Sequence, residues 1–319
     1  MKGLTDIPGI LVGHASDYDG LTGCTVILCE TGATAGGDIR GSATGVDEWD
    51  VLNPMHVTDK IHGVVFSGGS AFGLETASGV RRFLEHKGVG FKTGAGPVPI
   101  VVGAILYDLG LGKKSARPTR EMAEMASASA IAAAVTEGAV GAGTGATVGK
   151  LLGMKNAMKS GVGSWTVALD GRNSGVMVSA LAVVNALGDV RDPASGKIIA
   201  GARKASDSTE FADSAKLIKS MGPTGFTREN TTLVVVATNA ALNKVEATKL
   251  AQLGQLGTAR AINPVNTMSD GDLVVAMSCG ALRAPVDALG VAASEAVAEA
   301  ILRAVRLAPP TGGLPGLKK

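Results

Sequence analysis

Several sets of residues in this sequence have the types and spacing to do chemistry. The first is Thr231-Thr232, two hydroxyl residues that open the apolar, β-branched run Leu233-Val234-Val235-Val236-Ala237. Such a run has the pattern of a strand buried on both faces. A threonine hydroxyl is a poor nucleophile without a base beside it, but a threonine at a chain terminus carries that base on its own Cα. Its α-amine titrates near pH ~8, close enough to neutrality for general-base work. Thr231 gains that amine only if the Asn230-Thr231 bond is cut. The polar segment upstream ends in Met221-Gly222-Pro223-Thr224-Gly225 and predicts an exposed loop before the strand, where a cut would leave the core intact. On spacing alone the plainer reading stays open: Thr231 begins a buried strand and does nothing else.

The second set is Asp270-Gly271-Asp272. Two carboxylates spaced by one glycine suggest a cation, but no histidine or third acid lies close in sequence, and a solvated acidic turn is the alternative. The third is Ser67-Gly68-Gly69-Ser70, between the strand pattern His62-Gly63-Val64-Val65-Phe66 and a helical pattern over residues 71–86. Small residues at such a turn can aim backbone N–H groups into a cleft as an anion or oxyanion site, or Ser70 can simply cap the helix. The fourth is Asn185, a lone amide closing the apolar strand pattern that starts at Gly175; if buried it must be hydrogen-bonded, and it could equally close the turn into Gly188-Asp189. The run Gly141-Ala142-Gly143-Thr144-Gly145-Ala146 satisfies a relaxed dinucleotide fingerprint, but a helix pattern rather than a strand precedes it. Gly149-Lys150-Leu151 lacks the Ser or Thr that a phosphate loop places after its lysine. Close backbone packing accounts for these glycines better.

The elements that must position these groups follow from hydropathy period. Strands are expected at Cys24-Thr25-Val26-Ile27-Leu28-Cys29, at residues 161–169 and 175–185 joined by a polar turn, at 231–239 and at 273–278. Helices are expected over 71–86, 121–135, 240–256 and 291–307, and residues 309–319 read as a mobile tail. With 45 glycines and 3% aromatics, the core must be built from Ala, Val, Leu and Ile with close backbone approach. A net charge of +2 with interspersed signs gives no basic stripe for nucleic acid. The cysteines Cys24, Cys29 and Cys279 form no CxxC pair or zinc set and suit reduced thiols. The first residues lack an apolar signal core and no run approaches the ~20 apolar residues of a membrane helix, so the chain reads as cytoplasmic with no membrane partner.

Taken together, the chain resembles the L-aminopeptidase/D-esterase (β-aminopeptidase) family of self-cleaving N-terminal-nucleophile peptidases. The resemblance is carried, in order, by Ile7-Pro8-Gly9-Ile10-Leu11-Val12-Gly13-His14, Ser67-Gly68-Gly69-Ser70-Ala71-Phe72-Gly73-Leu74, the glycine run through Lys150, Val184-Asn185-Ala186-Leu187-Gly188-Asp189, Asn230-Thr231-Thr232 and Asp270-Gly271-Asp272. It implies an α/β fold, a four-layer αββα sandwich with mixed sheets in one domain, residues 1–319, that cuts itself between Asn230 and Thr231 into 1–230 and 231–319. It further implies Thr231 as nucleophile, Asn185 as an oxyanion donor, and Asp270 and Asp272 holding the nucleophile's amine and hydroxyl. Tyr107 is the candidate for the tyrosine that the family places near the nucleophile. Ser67, Gly68, Gly69 and Ser70, with Gly143 and Thr144, are expected to face substrate. Arg40 is the remnant of an arginine-glycine loop and could orient a substrate carboxylate or make a surface salt bridge. No metal or organic cofactor is implied. The expected substrates are short peptides, amides or esters with a free N-terminus, and the expected assembly is a homo-oligomer, a tetramer by resemblance. An acyltransferase of the ornithine acetyltransferase type and a non-cleaving binding module are the alternatives.

Overall fold

The computed structural model describes residues 2–222 and 229–319. Its frame is a mixed sheet of β1 (Leu11–Asp17), β2 (Thr22–Ile39), β3 (Val46–Asp47), β4 (Lys60–Ser67), β5 (Val101–Ile105), β6 (Val162–Ala168), β7 (Met177–Asn185), β8 (Thr231–Ala240) and β9 (Leu273–Leu282). The order is β6-β7-β8-β9-β2-β4-β5-β3, with β1 paired to the start of β2. Strand β2 is 18 residues long. Its first half pairs with β1 and β4 and its second half with β9, and its register against β4 shifts between Leu28 and Ala33. A bulge of this kind bends a strand, so one ladder folds into two facing sheets.

Side-chain alternation shows the layers. Leu233, Val235 and Ala237 of β8 share an inner core with Leu273 and Val275 of β9, Leu181 and Val183 of β7, and Ile27, Val64, Phe66 and Val102 from the other half. The intervening Val234, Val236, Val274 and Ala276 pack outward under α3 (Lys244–Ala261) and α4 (Val286–Arg306). On the opposite outer face, Cys24, Val26, Leu28 and Val65 lie under α1 (Thr76–His86) and α2 (Arg120–Ala128). The order is therefore helix, sheet, sheet, helix, as the resemblance implied. The apolar run of β8 needs no polar face because both of its faces are covered. Among the described residues no helix is long and apolar enough to cross a membrane.

Four expectations shift. The helix expected over 121–135 ends at Ala128, because Ile131 exchanges backbone hydrogen bonds with Val12 of β1 and Val135 N–H donates to Lys2 O. Edge pairing there overrides alanine propensity. The helix expected at 71–86 opens as a 3-10 turn, Ser70–Glu75, and Ser70 sits at φ 55 without capping it. Helix α3 begins at Lys244 rather than 240, fixed by a capping box of Asn243 and Glu246. The tail is packed rather than mobile: Leu314 is buried with Leu21, Leu111 and Ala157, and Pro315 O accepts from Lys159 N–H.

Candidate active site

Three strand ends converge where β7, β8 and β9 lie side by side. The antiparallel β7–β8 register sets Asn185 opposite Thr231. The parallel β8–β9 register pairs Leu233 with Leu273, and a further bridge joins Asn230 to Asp270. Parallel neighbours need a crossover connection, which α3 supplies. The last residue of β7, the first of β8 and the turn before β9 thus meet at one end of the sheet.

Thr231 and the preceding Asn230 are buried, at 3% and 2% exposure. The peptide between them is therefore inside the protein rather than on the exposed loop expected from sequence, and the rest of that loop, residues 223–228, lies outside the described residues. Thr231 Oγ donates to the carbonyl oxygen of Asn230 at 2.5 Å. Gly271 N–H donates to the same oxygen at 2.8 Å. The Asn230 side chain donates to Ser269 O at 3.1 Å, which ties the residue before Thr231 to the acidic turn. The Gly36–Gly45 region closes over that turn: Arg40 and Gly41 N–H donate to Asp272 O, and Ala43 N–H to Asp270 O.

Both acids are buried beside the start of β8, and in the uncut chain their hydrogen bonds go to neighbours of Thr231. Asp272 accepts Thr232 N–H at 2.5 Å and Asn266 N–H at 2.9 Å. Asp270 accepts Leu187 N–H at 3.2 Å and the Thr267 hydroxyl at 2.5 Å. Burial, and after it the charge of Asp270, pushes the Asp272 carboxyl up to about 7. Burial likewise raises Asp270. Two buried acids whose carboxyls are both pushed up thus stand beside the strand start.

Asn185 is fully buried. Its Oδ1 accepts Lys150 Nζ at 2.8 Å and Thr147 N–H at 3.1 Å. That fixes the amide so that Nδ2 faces Tyr107 O at 3.0 Å and Glu229 O at 3.2 Å. Before any cut, Asn185 therefore holds the carbonyl one residue upstream of Asn230. Tyr107 joins the site through its backbone; its partly buried phenol is pushed up by burial, then by Glu229 and Asp108. Lys150 is the residue that sequence reasoning missed. It also donates to Asn185 O at 2.8 Å and Glu229 O at 3.3 Å, and burial pushes its amine down to about 7 against four nearby acids. The available signal was a lone lysine flanked by Val148-Gly149 and Leu151-Leu152, an apolar setting in which a cation needs partners.

The remaining expected residues do not join this cluster. The N–H groups of Gly68, Gly69 and Ser70 are spent on Gly23 O, Asp108 Oδ1 and Leu106 O, so these three backbone donors are not free for an anion. Ser67 is buried at the end of β4. Gly143 gives its carbonyl to Lys159, and the Thr144 hydroxyl donates to Gly141 O. These stretches support the site from behind. Arg40 pairs with Asp38 at 2.8 Å. Among the described residues no three His, Cys, Asp or Glu side chains converge to hold a metal.

The sequence profile of peptidase family S58 matches residues 2–318. An uncharacterized aminopeptidase of Mycobacterium tuberculosis is 37% identical over 344 residues, covering 99% of this chain and 96% of the relative. A 6-aminohexanoate-oligomer endohydrolase of a Kocuria species is 28% identical over 317 residues, covering 94% and 85%. Among solved structures, the L-aminopeptidase D-Ala-esterase/amidase of Ochrobactrum anthropi, a variant of the Ntn hydrolase fold, aligns with TM-score 0.73 at 18% identity over 98% of this chain and 88% of its own. A Burkholderia β-aminopeptidase aligns with TM-score 0.68 at 23% identity over 99% and 91%. The profile match over nearly the whole chain, with the shared αββα layers, makes this protein a hydrolase belonging to peptidase family S58.

Proposed function

We propose that the protein is a self-processing aminopeptidase or amidase-esterase with Thr231 as its nucleophile. The observation that carries this reading is the buried Asn230-Thr231 peptide, whose carbonyl oxygen takes the Thr231 hydroxyl at 2.5 Å and Gly271 N–H at 2.8 Å. In the maturation step, Thr231 Oγ attacks the Asn230 carbonyl carbon while Gly271 N–H holds the developing oxyanion. The C–O bond forms, the C–N bond breaks, and the hydroxyl proton passes to the leaving amine. Asp272, which accepts Thr232 N–H next to Thr231 and is poised near neutrality, fits the relay. Water then hydrolyses the ester to leave an Asn230 carboxyl and a Thr231 with free amine and hydroxyl.

In turnover the Thr231 amine takes the proton from Oγ, and the acyl group of a substrate amide or ester passes to Oγ and then to water. Once the Glu229-Asn230 end withdraws, the Asn185 Nδ2–H now spent on Glu229 O is free for the substrate oxyanion. Lys150 keeps that amide oriented. Relatives named as an aminopeptidase and as an oligomer endohydrolase support amide substrates, short peptides or amino-acid amides and esters with a free N-terminus. The reading extends to one αββα domain cut into 1–230 and 231–319, acting in the cytoplasm as a homo-oligomer. Intact mass of purified protein over hours tests it. Two fragments meeting at Asn230 and Thr231 are expected, with Thr231→Ala remaining uncut and inactive; an uncut yet active parent protein would overturn the reading.

A further inference from the structure

Lys159 has no part in the chemistry above, yet it is the most unusual side chain near it. It is fully buried, and its Nζ donates to three backbone carbonyls: Gly143 at 2.9 Å, Ala146 at 2.8 Å and Ser160 at 2.5 Å. A buried amine is costly unless its hydrogen bonds are made, and here three backbone carbonyls surround Nζ. Two of those carbonyls belong to the glycine-rich segment that runs into Thr147 and Lys150, the two residues that hold Asn185 Oδ1. That segment also packs closely on Asp108: a Cβ added at Gly145 would stand 2.6 Å from Asp108 Cβ. Asp108 is itself buried, accepts Thr22 Oγ at 2.6 Å and Gly69 N–H at 2.7 Å, and follows Tyr107, whose carbonyl holds Asn185 Nδ2.

We propose that Lys159 is a positioning residue for the Asn185 amide. Working against Asp108, it clamps residues 143–147 so that Thr147 and Lys150 fix Oδ1 and Nδ2 is left aimed at the reacting carbonyl. The proposal rests on the reading that Asn185 serves the oxyanion in turnover. It assigns a function to the glycine run that neither a nucleotide site nor substrate contact explained: the chain must be thin enough there to pass between a buried amine and a buried acid. Displacing a catalytic group by about 1 Å can lower a rate roughly 100-fold.

The test is a double-mutant cycle on self-cleaved protein of Lys159→Met, Asn185→Ala and both. Lys159→Met is expected to lower kcat by about 10- to 100-fold with KM within about twofold, and to have little further effect once Asn185 is alanine, because a residue acting through Asn185 has nothing left to position. Unchanged kcat in Lys159→Met, or the same fold loss with and without Asn185, overturns the proposal. Lys159→Gln, which keeps two donors, is expected to recover part of kcat and replaces the methionine variant if that variant does not fold or self-cleave. Failure of both to fold assigns Lys159 to stability alone and likewise overturns it. A parent protein that neither cleaves itself nor hydrolyses an amide would instead overturn the Thr231 reading, a result distinct from any outcome of the cycle.

Discussion

On the proposed mechanism, self-cleavage and turnover should respond differently to Asn185→Ala, because it gives them different oxyanion donors. In the uncut chain the Asn230 oxygen takes Gly271 N–H at 2.8 Å, whereas Asn185 Nδ2 takes the Glu229 oxygen at 3.2 Å. Removing Asn185 deletes one neutral hydrogen bond from the segment being cut, about 1 kcal/mol, or about fivefold in cleavage rate. In the proposed turnover the same amide serves the oxyanion, and its loss would cost about 3–4 kcal/mol and ~100- to 1000-fold in kcat. The Lys150 amine also loses an acceptor, so some stability is lost, roughly 1–3 kcal/mol, and a melting curve must confirm that the fold survives. Cleavage is followed by intact mass after rapid purification, and turnover by p-nitroaniline release from a panel of aminoacyl p-nitroanilides. The reasoning fails if Asn185→Ala blocks cleavage as completely as Thr231→Ala in a folded protein, or if cleaved Asn185→Ala turns over at the parental rate.

Gly271→Ala should slow self-cleavage by about 100-fold in a folded chain, since the new methyl would lie 2.8 Å from Ala43 O and 2.9 Å from Thr231 Oγ; parental cleavage kinetics by mass would contradict the Gly271 assignment. Deleting residues 311–319 strips Leu314 from its buried cluster. That should cost about 1.5–3 kcal/mol, read as a Tm lower by roughly 3–6 °C, and an unchanged Tm would restore the mobile tail. Burial holds the Lys159 amine at about 7, against ~10.4 for a free lysine. Above pH ~7 the unfolded chain therefore binds the extra proton, so this group's contribution to stability rises with pH through ~10.4 and is lost as pH falls through about 7. The Tm difference, parent minus Lys159→Met, should accordingly grow between pH 7 and pH ~10, and a flat difference would mean the amine stays charged in the native state.

By itself the sequence determined the elements with a strong local signature. The run Leu233-Val234-Val235-Val236 could only be a doubly covered strand, the 175–185 pattern a strand ending in an amide, and Asp270-Gly271-Asp272 a turn. Order and spelling of the motifs brought in the αββα fold and pointed to Thr231, Asn185 and the two acids as candidates. Tertiary structure decided what those residues touch. Asn185 and Thr231 face each other because β7 pairs antiparallel with β8, and Gly271 reaches the Asn230 carbonyl because β9 lies parallel on the other side. Strand register is set by packing across the sheet, which no local window encodes. The helix that stops at Ala128 and the tail pinned by Leu314 depart from expectation for the same reason, since contacts distant in sequence outweigh propensity. Lys150 and Lys159 looked like ordinary basic residues in a glycine-rich stretch. Folding removed water from around them and left backbone carbonyls and one amide as their partners, which is what singles them out beside the candidate site.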